Sequence, residues 1–226
     1  MTRLLALDAS SASCSVALWV DGEVTGNIEH APRGHTRRLM PMIDALLERT
    51  GVERASLEAI AYGHGPGSFT GIRIAAGVAQ GLAFGLGRPL LGISTLRALA
   101  LGAWRHDGAE LVMPALDARL GELYTALYRI EEGVPLALLE DIVLKPERFE
   151  LPQGLPGTVA LVGSGASLIE QLPVGVRENL NCVIGEREPD AADMVRLAAM
   201  DLAAGISTLP HEAVPVYLRD QVVSRH

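Results

Sequence analysis

Arg3-Leu4-Leu5-Ala6-Leu7-Asp8-Ala9-Ser10-Ser11 opens the chain with a short apolar run that ends on a carboxylate, followed by small residues. An uninterrupted apolar run of this length is the pattern of a strand buried on both faces. Part of it returns later: Ala6-Leu7-Asp8-Ala9 recurs as Ala115-Leu116-Asp117-Ala118, and at the same offset Ala17-Leu18 recurs as Ala126-Leu127. Asp8 and Asp117 are therefore each expected to end a strand and lead into a hairpin, with no gap between the two copies.

Outward from the first copy, residues 14–20 read as a second strand, Asp21-Gly22 as a hairpin turn, and residues 23–30 as a third strand. Residues 35–49 follow helical spacing through Leu39, Ile43, Leu46 and Leu47, with Gly51 as the cap and Pro41 predicting a kink or a late start. A strand at 58–64, a loop at 65–71, a helix at 72–86, a strand at 89–93 and a helix at 94–105 complete a βββαβαβα half. The second half repeats the opening, with strands at 122–130 and 136–144, a strand at 158–163 running into Ser164-Gly165, and a last helix at 191–204 that packs back across the halves. Two βββαβα-type halves, 1–105 and 106–226, describe the duplicated α/β architecture shared by actin, sugar kinases and Hsp70 (the ASKHA fold).

Composition bounds the function. The 226 residues are 49% hydrophobic and only 4% aromatic, so the core is aliphatic. Nineteen basic against 27 acidic residues leave a net charge of −8, which disfavours unaided binding to nucleic-acid phosphates. Lys145 is the single lysine, so arginine usage is general and one Arg carries little meaning. Two cysteines, Cys14 and Cys182, cannot form a disulfide scaffold, and the chain reads as a reduced cytoplasmic protein with no secretory signal. The most apolar stretch, 74–86, contains Gln80 and is too short to span a bilayer.

Two segments are candidates for chemistry. In a nucleotide-binding duplicated fold the turn at Asp8, Ser10 and Ser11 would wrap a phosphate, the carboxylate holding Mg²⁺ through water, and a nucleotide-dependent enzyme of this kind would use Asp8, Asp117 and the loop at 65–71. The glycine usual in such a turn is missing, and the competing reading is an Asp that caps its own turn. Gly65-Pro66-Gly67-Ser68-Phe69-Thr70-Gly71 makes a rigid loop in which Ser68 and Thr70 can cap the next helix, whose N–H groups could receive an anion. It is neither a Walker A loop nor a G-x-S-x-G elbow. No His or Cys lies at metal-ligand spacing, His30 and His35 being five apart.

The helix at 72–86 carries only Arg73 and Gln80 as polar side chains, so it must be covered on two sides. Arg73, Gly77, Gln80 and Phe84 mark the side away from its sheet. Met40 and Met42 lie off the main stripe of the helix at 35–49. These residues predict a protein interface at Met40, Arg73, Gly77, Gln80 and Phe84, with Leu39, Ile43 and Leu46 turned to the core.

Gly65-Pro66-Gly67-Ser68-Phe69-Thr70-Gly71-Ile72-Arg73-Ile74 resembles the signature loop of the bacterial TsaB (YeaZ) family, which takes part in tRNA threonylcarbamoyladenosine synthesis. Leu7-Asp8-Ala9-Ser10, His35-Thr36-Arg37-Arg38-Leu39-Met40-Pro41-Met42-Ile43, Asp117-Ala118-Arg119 with Glu122-Leu123-Tyr124, and Pro215-Val216-Tyr217-Leu218-Arg219 agree in the same order. The resemblance implies a partner of the paralogue TsaD, which transfers threonylcarbamoyl from threonylcarbamoyl-AMP to N6 of the tRNA adenosine beside the anticodon. That paralogue holds a metal on an H-x-x-x-H helix. Thr95 and Leu99 stand at the corresponding positions, and neither replaces an imidazole. The resemblance thus implies a non-catalytic subunit with no metal and no tightly bound cofactor, ATP or ADP binding being at most weak and shared with the partner. It implies pairing with TsaD, joined by the ATPase TsaE, a homodimer when alone, tRNA met only through the complex, and no membrane. The alternatives are a nucleotide-dependent transferase or kinase of the actin-like superfamily, and an M22-type peptidase homologue.

Overall fold

The computed structural model describes residues 2–219. It comprises two units: one holds residues 2–98 together with 189–216, the other holds 99–188 together with 217–219.

In the first unit β1 (Arg3–Asp8), β2 (Ser13–Val20) and β3 (Glu23–His30) form an antiparallel meander. The Asp21-Gly22 turn has φ of 49° and 101° at its two residues, the left-handed pair that a tight hairpin requires. After α1 (His35–Thr50), β4 (Ala59–Gly65) joins β1 in parallel; after α2 (Phe69–Leu86), β5 (Leu90–Ser94) joins β4 in parallel. The strand order is β3-β2-β1-β4-β5. β1 and most of β4 are buried, whereas the edge strand β3 is polar and largely exposed.

α1 turns Leu39, Ile43 and Leu46 into the core, as the spacing predicts, and ends on Gly51 at φ 65°. It starts at His35 and runs through Pro41. Pro41 is exposed, and so is Arg37, whose carbonyl loses the bond that the proline cannot donate. Met42 is buried in the core rather than set off the stripe. α2 begins three residues before the expected start because Ser68 caps it, accepting the Gly71 N–H at 3.3 Å. At 18 residues and mean hydropathy 1.3, it is long and apolar enough to cross a membrane by length and composition, contrary to the shorter reading. It packs on β4 as part of the sheet's cover.

The second unit takes over within α3 (Thr95–Asp107) and contains β6 (Leu111–Arg119), β7 (Glu122–Glu131), β8 (Val134–Leu144), β9 (Val159–Val162), the short α4 (Val174–Arg177) and β10 (Leu180–Ile184). The order β8-β7-β6-β9-β10 reproduces the first sheet strand for strand, with three antiparallel and two parallel members. The duplicated actin-like fold is therefore present. The copies differ in two ways. 3-10 turns at Pro146–Arg148 and Ser164–Gln171 stand where the first unit has α1 and α2. The repeat also needs a one-residue shift after the strand: Ala6 faces Ala17, but Ala115 faces Thr125, because the second hairpin turn is shorter.

α5 (Ala191–Ala203) belongs to the first unit, so a single cut at residue 105 does not separate the two bodies. It packs on β1 and β2. Asp190 caps it, and Ser15 Oγ accepts the Ala191 N–H at 2.9 Å. The end of the 106–226 span, from residue 220, and with it His226, lies outside the described residues.

Candidate functional site

Asp8 ends β1 fully buried. Its Oδ2 accepts the Ser10 N–H at 3.1 Å and the Ser10 hydroxyl at 2.8 Å, while Oδ1 is buried without a well-formed hydrogen bond. Burial pushes the carboxyl up to about 7; the Ser10 and Ala9 hydrogen bonds pull it down and the Asp190 charge raises it slightly. A Cβ on Gly63 of β4 would lie 1.9 Å from Oδ1 and 3.0 Å from Met194 of α5. Only glycine fits there, and the carboxyl is enclosed between strand and helix.

The loop at 65–71 closes over this turn. Ser68 N–H donates to the Ser10 carbonyl at 2.7 Å. A Cβ on Gly67 would stand 2.6 Å from that carbonyl, and one on Gly71 1.8 Å from the Ala9 carbonyl. The glycines thus serve close approach to the chain's own backbone. Gly65, at φ 110°, ends β4 with the Val216 carbonyl 3.1 Å from its Cβ position, and Thr70 is exposed in the first turn of α2. Ser11 accepts the Ser13 N–H at 3.2 Å. Asp8, Ser10, Gly67 and Ser68 therefore converge in the first unit. Asp117 lies in the second, about a third exposed. It accepts the Arg119 N–H at 2.8 Å and pairs with the Arg119 guanidinium at 3.1 Å, while its own N–H donates to Ser164 Oγ at 3.1 Å. Two surface clefts, one along Asp44–Arg54 and one around Glu110, Arg129 and Thr158, include none of these residues.

The outer face of α2 is the second candidate. Arg73, Gly77, Gly81, Phe84 and Gly85 are exposed, and a Cβ on any of the three glycines would meet nothing within 4 Å. Arg73 stacks over the Phe69 ring, 3.6 Å from its centroid, and Phe84 is 81% exposed. Met40 of α1 is half-buried against the core cluster. Gln80 does not belong to the outer face. It is half-buried, and its amide donates to the carbonyls of Pro210 at 3.1 Å and Ala213 at 2.7 Å. A polar side chain on an apolar helix has found backbone acceptors inside the chain.

Residues 27–223 match the family model for TsaD, described as tRNA N6-adenosine threonylcarbamoyltransferase. The tRNA threonylcarbamoyladenosine biosynthesis protein TsaB of Escherichia coli strain K12 is 44% identical over 97% of this chain and 96% of its own. Its namesake in Bacillus subtilis strain 168 is 30% identical over 96% and 93%. This chain belongs to the TsaB family. The solved structure of YeaZ from Pseudomonas aeruginosa superposes with a TM-score of 0.91 at 41% identity, covering 96% of this chain and 100% of that one. A threonylcarbamoyltransferase of Nitratidesulfovibrio vulgaris strain DP4 is 40% identical over 49% of this chain and 30% of its own.

In this TsaB-family chain Thr95 and Leu99 are both taken up by the chain's own packing. Thr95 is fully buried and its hydroxyl donates to the Pro66 carbonyl at 2.5 Å; Leu99 is a core residue. These side chains do not fit a metal, and among the described residues no three His, Cys, Asp or Glu side chains are grouped to hold one. Two buried groups escaped the sequence reading. Cys14 Sγ lies 3.0 Å from His35 Nδ1, and burial, aided by Asp8 and Glu29 against Arg38, pushes the thiol up to about 11, which does not suit a nucleophile. Burial lowers His64 to about 4, leaving a neutral imidazole packed beside Gly92, where a Cβ would lie 2.7 Å from Nδ1. Nothing in the spacing of Cys14 and His35 signals their contact.

Proposed function

We propose that this chain acts in tRNA threonylcarbamoyladenosine biosynthesis as a non-catalytic cytoplasmic subunit that pairs with a TsaD-type paralogue through the outer face of α2. The paralogue transfers the threonylcarbamoyl group to N6 of the tRNA adenosine beside the anticodon, a TsaE-type ATPase joins the pair, and the chain forms a homodimer when alone. One observation carries this reading: α2 exposes a stripe of three glycines bounded by Phe69 and Phe84, a face that admits another helix at close range. Thr95 and Leu99 support the absence of a catalytic metal. The net charge of −8 supports meeting tRNA through the complex. Asp8 is enclosed by Gly63, Met194 and the loop glycines, so a weak, shared ATP or ADP site would draw on the partner's residues.

Gly77→Glu tests the reading. The side chain enters open space, and mid-helix glycine is replaced by a better helix former, so the monomer keeps its circular dichroism and melting temperature. At the centre of a helix–helix contact the charge is desolvated without a partner, costing on the order of several kcal/mol. The variant is expected to separate from the paralogue on size exclusion. A Gly77→Glu chain that still comigrates with the paralogue and supports full tRNA modification rules α2 out as the interface.

A further inference from the structure

We infer that Leu120, at the tip of the β6–β7 hairpin in the second unit, is a docking knob that enters an apolar socket on a partner protein. The inference rests on the proposed role as a subunit of an assembly, but not on the pairing through α2.

Three two-residue hairpin turns among the described residues share one design. Val20 pairs with Glu23, Arg119 with Glu122 and Glu131 with Val134, which leaves Asp21-Gly22, Leu120-Gly121 and Glu132-Gly133 as the turns. In each, both residues are left-handed: φ is 49° and 101° in the first, 57° and 75° in the second, 50° and 81° in the third. A two-residue turn takes this geometry to match the twist of its strands. Glycine accepts it without strain in the second place. The first place suits a small polar residue, and two of the turns fill it with an acid, Asp21 and Glu132. A leucine there sets its Cβ against the backbone with no polar bond in return. Leu120 gains nothing from its own chain for this strain, since it is 84% exposed. A residue that strains its own turn and leaves its side chain in solvent marks a use outside the chain.

The tip is a built shape. Asp117 Oδ1 accepts the Arg119 N–H at 2.8 Å, and the Arg219 guanidinium donates to the Ala118 carbonyl and to Glu122 Oε2, both at 2.9 Å. The charges close on one another, Arg119 with Asp117 and Arg219 with Glu122. A tip with balanced charge offers no surplus cation to a phosphate backbone, and residues 118–122 hold no ring on which a base could stack. One fixed aliphatic side chain bordered by paired polar groups is instead the centre-and-rim pattern of a protein contact. The occupant is therefore a protein with a leucine-sized apolar socket and a polar margin.

The test places Leu120→Asn and Leu120→Met in the full-length chain, mixed with the paralogue, the TsaE-type ATPase and tRNA. Asn-Gly is the favoured pair for such a turn, so Leu120→Asn is expected to melt no lower than wild type. Threonylcarbamoyl transfer by the complete set is nevertheless expected to fall about tenfold with it. Leu120→Met keeps an apolar side chain and is expected to retain most of the transfer. A photoreactive leucine analogue at position 120 is expected to crosslink to one of the two proteins. Three results would overturn the inference: Leu120→Asn melting below wild type, Leu120→Asn supporting full transfer, or crosslinks to tRNA alone or to nothing. Gly77→Glu separates this from the α2 reading. If Gly77→Glu loses the paralogue while Leu120→Asn transfers normally, the knob falls and α2 stands. If Gly77→Glu keeps the paralogue while Leu120→Asn loses transfer, α2 falls and the knob stands.

Discussion

Asp8 ends β1, and Asp117 lies two residues before the end of the equivalent β6 in a sheet with the same strand order, not at the strand end that the repeat predicts; yet one is fully buried and the other lies at the surface. The difference comes from what packs over each turn. Over Asp8 lie the capped start of an 18-residue helix, brought close by Gly67 and Gly71, and Met194 of α5. Over Asp117 a 3-10 turn takes that place. Its glycines, Gly163 and Gly165, close instead on Ala115, leaving the carboxylate to cap its own hairpin and pair with Arg119. A repeated Asp in equivalent strands therefore does not carry a repeated site. In the first unit the cradle is filled by the chain itself.

The sharpest break of this comparison is Asp8→Asn. The folded carboxyl is raised from 3.8 to about 7, so it favours the protonated form. Its contribution is fully present below the unfolded pKa and is lost as pH rises through about 7, a difference on the order of 4 kcal/mol. Urea unfolding at several pH values is expected to show wild type losing stability relative to Asp8→Asn between about pH 4 and pH 7. His64 acts in the opposite sense, since its pKa is lowered to about 4 and its contribution is lost as pH falls below the usual histidine range. Both chains share it, so their difference isolates Asp8. Parallel pH profiles for the two chains would contradict the buried, raised carboxyl.

Next in size is Gly71→Ala, whose Cβ would meet the Ala9 carbonyl at 1.8 Å. It is expected to cost about 3 kcal/mol, near the upper end for overpacking, read as a fall in the urea midpoint. Gly165→Ala meets Leu123 and Ala115 at 2.7–2.9 Å and is expected to cost less, about 2 kcal/mol. Equal costs would mean that the two loops close alike. The smallest effect belongs to Asp117→Asn, which removes a solvent-screened pair with Arg119 and is expected to change stability by less than about 1 kcal/mol. A larger loss would place Asp117 in a role that its exposure does not suggest.

Punctuation in the sequence made much of the fold legible. β1 and β3 begin and end where Asp8, Asp21-Gly22 and the apolar runs place them, and Leu39, Ile43 and Leu46 face the core as their spacing requires. What stayed hidden depends on contacts distant in sequence. Gly67 and Gly71 are explained by Ser10 and Ala9, roughly sixty residues earlier, and no local pattern announces that approach. Gln80 reads as an outward polar residue on an apolar helix until the Pro210 and Ala213 carbonyls are in view. The register slip in the second hairpin escaped for a different reason: Ala-Leu matches cheaply in an aliphatic chain, so the gapless repeat concealed a shorter turn.

The central claim is that this chain enables a reaction it does not perform. Threonylcarbamoyl transfer to tRNA, measured with this chain alone, with the paralogue alone and with both, the TsaE-type ATPase being present in every mixture, tests it most directly. Product is expected only when both chains are present, and is expected to disappear when Gly77→Glu replaces wild type. Transfer by this chain without its paralogue would contradict the account.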